Sequence, residues 1–261
     1  MVRYYLDEEK NWGVDVNDIR ERIKNAKDVG IELRAIVVIN PGNPTGNVLR
    51  RDNIEDIIRV SHENGLIILA DEVYQNNIYY PEEAPFISFR KVLHEMGPPY
   101  SDSVELVSMH SISKGIGGEC GLRGGYMEVH NLDMFASDMM YKLKSVELCS
   151  NTVGQVATYL MVDPPKEGRE SSSCIELYNK ETQGIFNGMS ERAKLLTDTF
   201  NVMDNTDCNR IEGAMYAFPS VHFSQKALKA AADKNVAADF MYCMDMVDAT
   251  GILTVPGSGF G

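Results

Sequence analysis

The run His110-Ser111-Ile112-Ser113-Lys114-Gly115-Ile116-Gly117-Gly118-Glu119-Cys120-Gly121-Leu122-Arg123 sets one lysine behind two hydroxyls and ahead of a glycine-rich stretch that closes on an arginine. An apolar run, Val104 to Met109, precedes it, so Lys114 is expected on a turn just past a strand end, where α/β folds gather their chemistry. A lysine held there among small residues can be stripped of water, lose its proton and attack a carbonyl. Taken alone, Ser-x-Ser-Lys fits an ordinary surface turn better. Two stretches upstream reverse that balance.

The first is Asn40-Pro41-Gly42-Asn43-Pro44-Thr45-Gly46, which follows the apolar run Leu33 to Ile39. Two prolines and two glycines forbid a helix and favour a tight turn that holds the Asn43 amide rigidly at the end of a strand. The second is Asp71-Glu72-Val73-Tyr74, directly after the apolar run Leu66 to Ala70. A carboxylate at the end of a buried strand is costly unless it meets a cation or a strong donor, so Asp71 is expected to have a partner. Glu72 is expected to face solvent.

The elements that position these groups follow from apolar spacing. Helices are expected over Asp15 to Asp28, Ile54 to Asn64, Phe89 to Met96, Leu132 to Val146 and Thr152 to Met161. Gly65 stops the second, and Gly97-Pro98-Pro99 ends the third. Leu33 to Ile39, Leu66 to Ala70, Val104 to Met109 and Arg123 to Val129 read as strands, the first of a kind covered on both faces. The repeating strand, loop, helix order gives an α/β layer with a mostly parallel sheet, with Asn43, Asp71 and Lys114 near one sheet edge. A long helix-permissive stretch, Glu170 to Met203, places a boundary near Pro164 and Pro165. Residues 1–163 are then part of a large α/β domain, and residues 164–261 an interdomain helix and part of a smaller α+β domain. Strands at Ala214 to Phe218 and Ile252 to Val255 are expected there between helices at Gln225 to Ala232 and Asp239 to Ala249.

Composition narrows the ligand. At 261 residues, 44% hydrophobic and 24% charged, the chain reads as globular, and its net charge of −13 argues against nucleic acid. A small molecule is the expected ligand. The five cysteines, Cys120, Cys149, Cys174, Cys208 and Cys243, form no CxxC pair and suggest neither a disulfide framework nor a metal site. They suggest a reducing compartment, and a cytoplasmic location is expected. No apolar run approaches the roughly 20 residues that span a membrane, and the first residues have no signal-peptide core.

A turn asparagine, a strand-end Asp with a Tyr three residues on, and Ser-x-Ser-Lys followed by an Arg form a specific combination. It resembles that of the fold-type I pyridoxal-phosphate aminotransferases. The wording of Asn40 to Gly46, Ala70 to Gln75, Ser113 to Tyr126, Gly213 to Pro219 and Val255 to Gly261 is most similar to the alanine aminotransferases. The resemblance implies a mostly parallel central sheet with helices on both faces and the cofactor pyridoxal 5'-phosphate. It makes Lys114 the Schiff-base lysine, which also carries the proton of catalysis, and Asp71 the partner of the protonated pyridine nitrogen. Asn43 and Tyr74 match the groups that bond the ring's phenolic oxygen, and Ser111 and Arg123 match the phosphate anchors, with Ser113 beside them. Tyr216 matches a residue facing the substrate, and fits equally well as a core aromatic. The implied reaction is ping-pong amino transfer between L-alanine and 2-oxoglutarate in a homodimer, and Tyr79 and Tyr80 are candidate interface residues. No metal, nucleic acid or membrane partner is implied.

The family pattern continues beyond this sequence at both ends. An upstream phosphate turn with a ring-stacking aromatic, and a downstream arginine for the substrate carboxylate, are not among these residues. The expectation is therefore an internal fragment with little or no activity of its own, whose targeting, cytoplasmic or mitochondrial, is set elsewhere. Another class I/II aminotransferase, an aminocyclopropane-carboxylate synthase-like enzyme, or a non-catalytic remnant of the fold are the alternatives.

Overall fold

Three strands, Ala35–Ile39 (β1), Ile67–Asp71 (β2) and Leu106–Ser111 (β3), pair in parallel, and Gly125–His130 (β4) adds antiparallel to β3, in a computed structural model that describes residues 1–260. Gly261, the last residue of the Val255 to Gly261 motif, lies outside the described residues. Register places Ile39 opposite Asp71 and Asp71 opposite Met109, so the carboxyl ends of the parallel strands lie level.

The helices form where apolar spacing and caps coincide. Val16–Asp28 (α1) starts at Asp15, whose carboxylate accepts from the Asn17 amide at 2.9 Å. Arg51–Asn64 (α2) begins one turn before the expected start and stops at Gly65, whose φ of 61° suits a residue without Cβ. Phe89–Met96 (α3) has the expected bounds and is capped by Ser88. All three helices pack on one face of the sheet. Ile54, Ile57 and Ile58 of α2, with no exposed surface, meet Ile36 and Val38 of β1, Ile68 and Ala70 of β2 and Leu106 of β3.

Beyond β4 come Met134–Val146 (α4), Thr152–Val162 (α5) and the 31-residue Ser172–Val202 (α6), then Gln225–Asp233 (α7) and Ala238–Thr250 (α8). The start of β4 and α5 approach closely: a Cβ on Gly154 would meet the Arg123 carbonyl at 2.5 Å. A second apolar cluster joins Phe186, Met189 and Ala193 of α6 to Tyr79, Cys208 and Ile211.

Three expectations are corrected. β1 is not covered on both faces: Val37 is 54% and Ile39 37% exposed, alternating with buried Ile36 and Val38. Ala214 to Phe218 and Ile252 to Val255 are not strands. Among the described residues the strand pairing of the carboxyl-terminal part is Thr206–Asp207 with Ser220–Val221. Tyr79 is not a surface residue; its ring is buried against Phe186 and its hydroxyl donates to the Ala214 carbonyl at 2.5 Å.

Ile57 lies where the sheet and helices meet. Ile57→Ala removes packing that cannot reform, so unfolding in urea is expected to show a loss of roughly 2–5 kcal/mol.

Candidate active site

Strand alternation sorts the side chains at the carboxyl ends of β2 and β3. Ile68 and Ala70 of β2, and Leu106, Ser108 and His110 of β3, point to the helix-packed face and are buried. Asp71 and Ser111 fall on the opposite, open face and are half-buried. Asp71 carries no paired cation here; its carboxylate accepts from the Val73 amide at 3.2 Å.

Lys114 follows β3 by three residues on an irregular turn, where its carbonyl accepts from the Gly118 amide at 3.2 Å. Its Nζ lies 5.8 Å from the centre of the Tyr216 ring. The Tyr216 hydroxyl in turn lies 2.7 Å from that of Tyr74, with the two rings edge to face at 5.6 Å. Asn43 reaches the same place, its side-chain amide near enough to Tyr74 to lower the phenol pKa. Burial, contact with Tyr216 and the Asp71 charge together raise the Tyr74 phenol well above the usual tyrosine value, against the lowering effect of Asn43. The expected residues Asn43, Asp71, Tyr74, Lys114 and Tyr216 thus share one neighbourhood, in which the Tyr216 ring is half-buried.

The other three gather less tightly. The Ser111 hydroxyl donates to the Gly124 carbonyl at 3.1 Å and lies 2.9 Å from the Ser113 hydroxyl, while the Ser113 amide donates back to Ser111 at 3.0 Å. Arg123 is exposed, sits in the left-handed region at φ 55°, and its Nη1 donates to the Cys120 carbonyl at 3.0 Å. Its guanidinium is turned onto its own loop, with the rest of its donors free to solvent.

Comparison with known proteins accords with this arrangement. A family model described as "Aminotransferase class I and II" matches residues 1–261. The chain belongs to the class I and II aminotransferases. Members of this family use pyridoxal phosphate. The chain is 47% identical over 261 residues to alanine aminotransferase 2 of Panicum miliaceum, covering 100% of this chain and 53% of that protein. It is 48% identical, with the same coverage, to glutamate–glyoxylate aminotransferase 1 of Arabidopsis thaliana. It is also similar to the solved alanine aminotransferase of Pyrococcus furiosus, with a TM-score of 0.77 and 24% identity over 99% of this chain and 56% of that one. The architecture is the fold-type I aminotransferase fold. The chain spans about half the length of the curated relatives it matches.

Two carboxylates of this aminotransferase chain escaped the sequence reading. Glu72 does not face solvent. It is 4% exposed and accepts from the Phe89 amide at the start of α3 at 2.8 Å. The period of two that puts Ile68 and Ala70 inward carries Glu72 inward after them, a signal present in the sequence. Burial is the main cause that pushes its carboxyl up to about 7, outweighing the hydrogen bond from the Phe89 amide. His110, buried one residue before the end of the neighbouring β3, is pushed down by the same kind of desolvation.

Glu212 is the other. It is 2% exposed, and its carboxylate takes Arg50 at 2.6 Å and Arg210 at 3.1 Å. Burial pushes its pKa up, but Arg50, the Val48 amide and Arg210 outweigh burial and hold it below the usual carboxylate range. Arg50 and Glu212 are 162 residues apart, so no local pattern announces the pair.

Glu72 gives this aminotransferase chain a pH signature. Between 4.5, its ordinary value, and about 7, the folded chain holds a proton that the unfolded chain has released, so stability falls as pH rises through that window. Urea unfolding at about pH 5 and about pH 8 is expected to show the native protein losing more stability than Glu72→Gln across that interval.

Proposed function

We propose that this chain provides the cofactor-holding part of a pyridoxal-phosphate-dependent transaminase that moves an amino group between L-alanine and 2-oxoglutarate by a ping-pong cycle. The observation that supports it most is the convergence of Lys114, Tyr74, Asn43, Tyr216 and Asp71 at the carboxyl ends of the parallel strands. The donor set fits the cofactor. A primary amine, an anion on the open face, hydroxyls at 111 and 113 and a solvent-facing guanidinium are complementary to an aldehyde, a pyridinium and a phosphate dianion.

Bound there, pyridoxal phosphate supplies a carbonyl for the amine and a ring that accepts electrons. The rest is assigned to this chain. Lys114 would hold the cofactor and, once displaced by the amino substrate, move the proton from the substrate Cα. Asp71 would keep the pyridine nitrogen protonated, and the phenol of Tyr74 with the amide of Asn43 would orient the ring oxygen. Ser111, Ser113 and Arg123 would hold the phosphate, the last after its guanidinium turns from the Cys120 carbonyl. Tyr216 would face the substrate.

The same proposal takes residues 1–163 as part of the large cofactor-binding domain and 164–261 as the interdomain helix and part of the small one. It also includes a cytoplasmic homodimer. The apolar side chains Phe135, Tyr141 and Leu143 on α4 and Tyr159 on α5, all more than half exposed, suit a covered surface in such an assembly. Glutamate and glyoxylate form a second substrate pair, favoured by the 48% identity to the Arabidopsis glutamate–glyoxylate aminotransferase.

Borohydride reduction after incubation with pyridoxal phosphate is expected to fix the cofactor on Lys114, read by peptide mass spectrometry, and Lys114→Ala is expected to abolish the label. Label on a different lysine overturns the assignment. In the full-length protein, the rates with alanine plus 2-oxoglutarate and with glutamate plus glyoxylate decide between the two substrate pairs.

A further inference from the structure

Three segments far apart in sequence meet at one buried carboxylate. Glu212 Oε1 accepts from Arg50 Nη2 at 2.6 Å and Arg210 Nη2 at 3.1 Å, and Oε2 accepts from Arg50 Nη1 at 3.1 Å and the Val48 amide at 3.2 Å. Its main chain continues the link: the Glu212 amide donates to the Gly46 carbonyl at 2.9 Å, and its carbonyl accepts from the Tyr79 amide at 2.8 Å. Glu212 therefore ties the turn that carries Asn43 to the loop that follows Tyr74, and it stands four residues before Tyr216.

Tyr216 has little anchorage of its own. It lies in an irregular segment, its neighbour Met215 is 37% exposed, and its hydroxyl touches Tyr74. The segment approaches the Asn43 turn so closely that a Cβ on Gly46 would lie 3.1 Å from the Tyr216 carbonyl. A bidentate guanidinium–carboxylate pair fixes both distance and angle, which a lone main-chain hydrogen bond does not.

We propose that Glu212 is the positioning residue for Tyr216: clamped by Arg50 and Arg210, it holds the Gly213 to Tyr216 segment on the Asn40 to Gly46 turn and so keeps the Tyr216 phenol on Tyr74 and its ring beside Lys114. Four donors converge on the carboxylate. A glutamine there has one acceptor oxygen and turns an NH2 toward a guanidinium, so Glu212→Gln loosens the segment beyond Ala214, while the bonds of Gly213 to Gly46, of Ala214 to Asn77 and of the Tyr79 hydroxyl to the Ala214 carbonyl remain. The consequence for substrate fit rests on the proposed function; the positioning of Tyr216 does not.

The test is NMR of the tyrosine-labelled chain at neutral pH, with the Tyr74 and Tyr216 ring signals assigned through Tyr74→Phe and Tyr216→Phe and their contact read as a ring-to-ring cross-peak. When Tyr216 leaves Tyr74, the cross-peak between the two rings is expected to weaken several-fold, and the Tyr74 ring signal to shift toward its position in Tyr216→Phe, in Glu212→Gln and in Arg50→Gln. Arg50→Lys, which keeps the charge without the fork, is expected to recover part of that shift. Arg50 is 41% exposed, so its variants carry the measurement if Glu212→Gln does not fold. An unchanged cross-peak and unchanged Tyr74 and Tyr216 ring signals in the folded variants overturn the proposal. Absence of borohydride-fixed cofactor on Lys114 in the native chain, with the Tyr74 shift present, sinks the proposed function and leaves the positioning role standing.

Discussion

Strand alternation at the end of β2 puts two neighbouring carboxylates into opposite environments, and the arrangement of the site depends on it. The helix-packed face is filled by Ile54, Ile57, Ile58 and Phe89, so whatever follows Ala70 on that side is drawn into a dry interior. That residue is Glu72, and it is tolerated because the start of α3 offers an amide at 2.8 Å. Asp71 is thereby forced onto the open face. Parallel pairing then brings the ends of β1 and β3 level with it, which is why the turn carrying Asn43 and the turn carrying Lys114 flank the same carboxylate.

The carboxyl-terminal part reaches this edge through charge more than through apolar burial. Exposed pairs such as Arg20 with Glu63 or Arg51 with Glu55 lie at separations of about 3 Å and contribute about 0–1 kcal/mol each. Glu212 differs because it has no water to fall back on. Removing a partner from a buried carboxylate costs about 3–5 kcal/mol in the fully buried limit, and the partial exposure of Arg50 and Arg210 brings the figure down from there. Even discounted, the Arg50–Glu212–Arg210 cluster outweighs the exposed pairs as a link between the two parts of the chain.

Legibility in the sequence followed the range of the interactions. Helices α1 to α3 were readable because apolar spacing, the Asp15 and Ser88 caps and the Gly65 stop all act within a few residues. The strand ends were readable from apolar runs, and the grouping of Asn43, Asp71 and Lys114 followed from them. Ala214 to Phe218 misled because its apolar content suited a strand, whereas its amides are used elsewhere: Gly213 donates to Gly46 and Ala214 to Asn77. Glu72 was missed because Leu66 to Ala70 reads as one apolar run, which by itself does not sort the residues after it between two faces. The Arg50–Glu212 pair spans 162 residues and depends on tertiary placement alone. Arg123 was located by sequence order, but its guanidinium direction is decided by the left-handed backbone at that position and by the Cys120 carbonyl.

The two phenols at the centre of the site make a donor count that any occupant must satisfy. Tyr74 and Tyr216 are joined hydroxyl to hydroxyl at 2.7 Å, and one hydrogen bond commits one of their two hydrogens. Burial pushes the Tyr74 phenol well above the usual tyrosine value, which favours keeping that hydrogen. One O–H therefore remains uncommitted whichever way the pair is polarised, and the Asn43 amide stands beside it. With Lys114 on the far side of the Tyr216 ring, the neighbourhood presents neutral donors flanked by a cation, and across the strand ends the single carboxylate of Asp71. A ligand that carries an oxygen acceptor on one side and a protonated nitrogen on the other matches that polarity; reversed, its anionic oxygen would face Asp71 and leave the uncommitted phenol hydrogen without an acceptor.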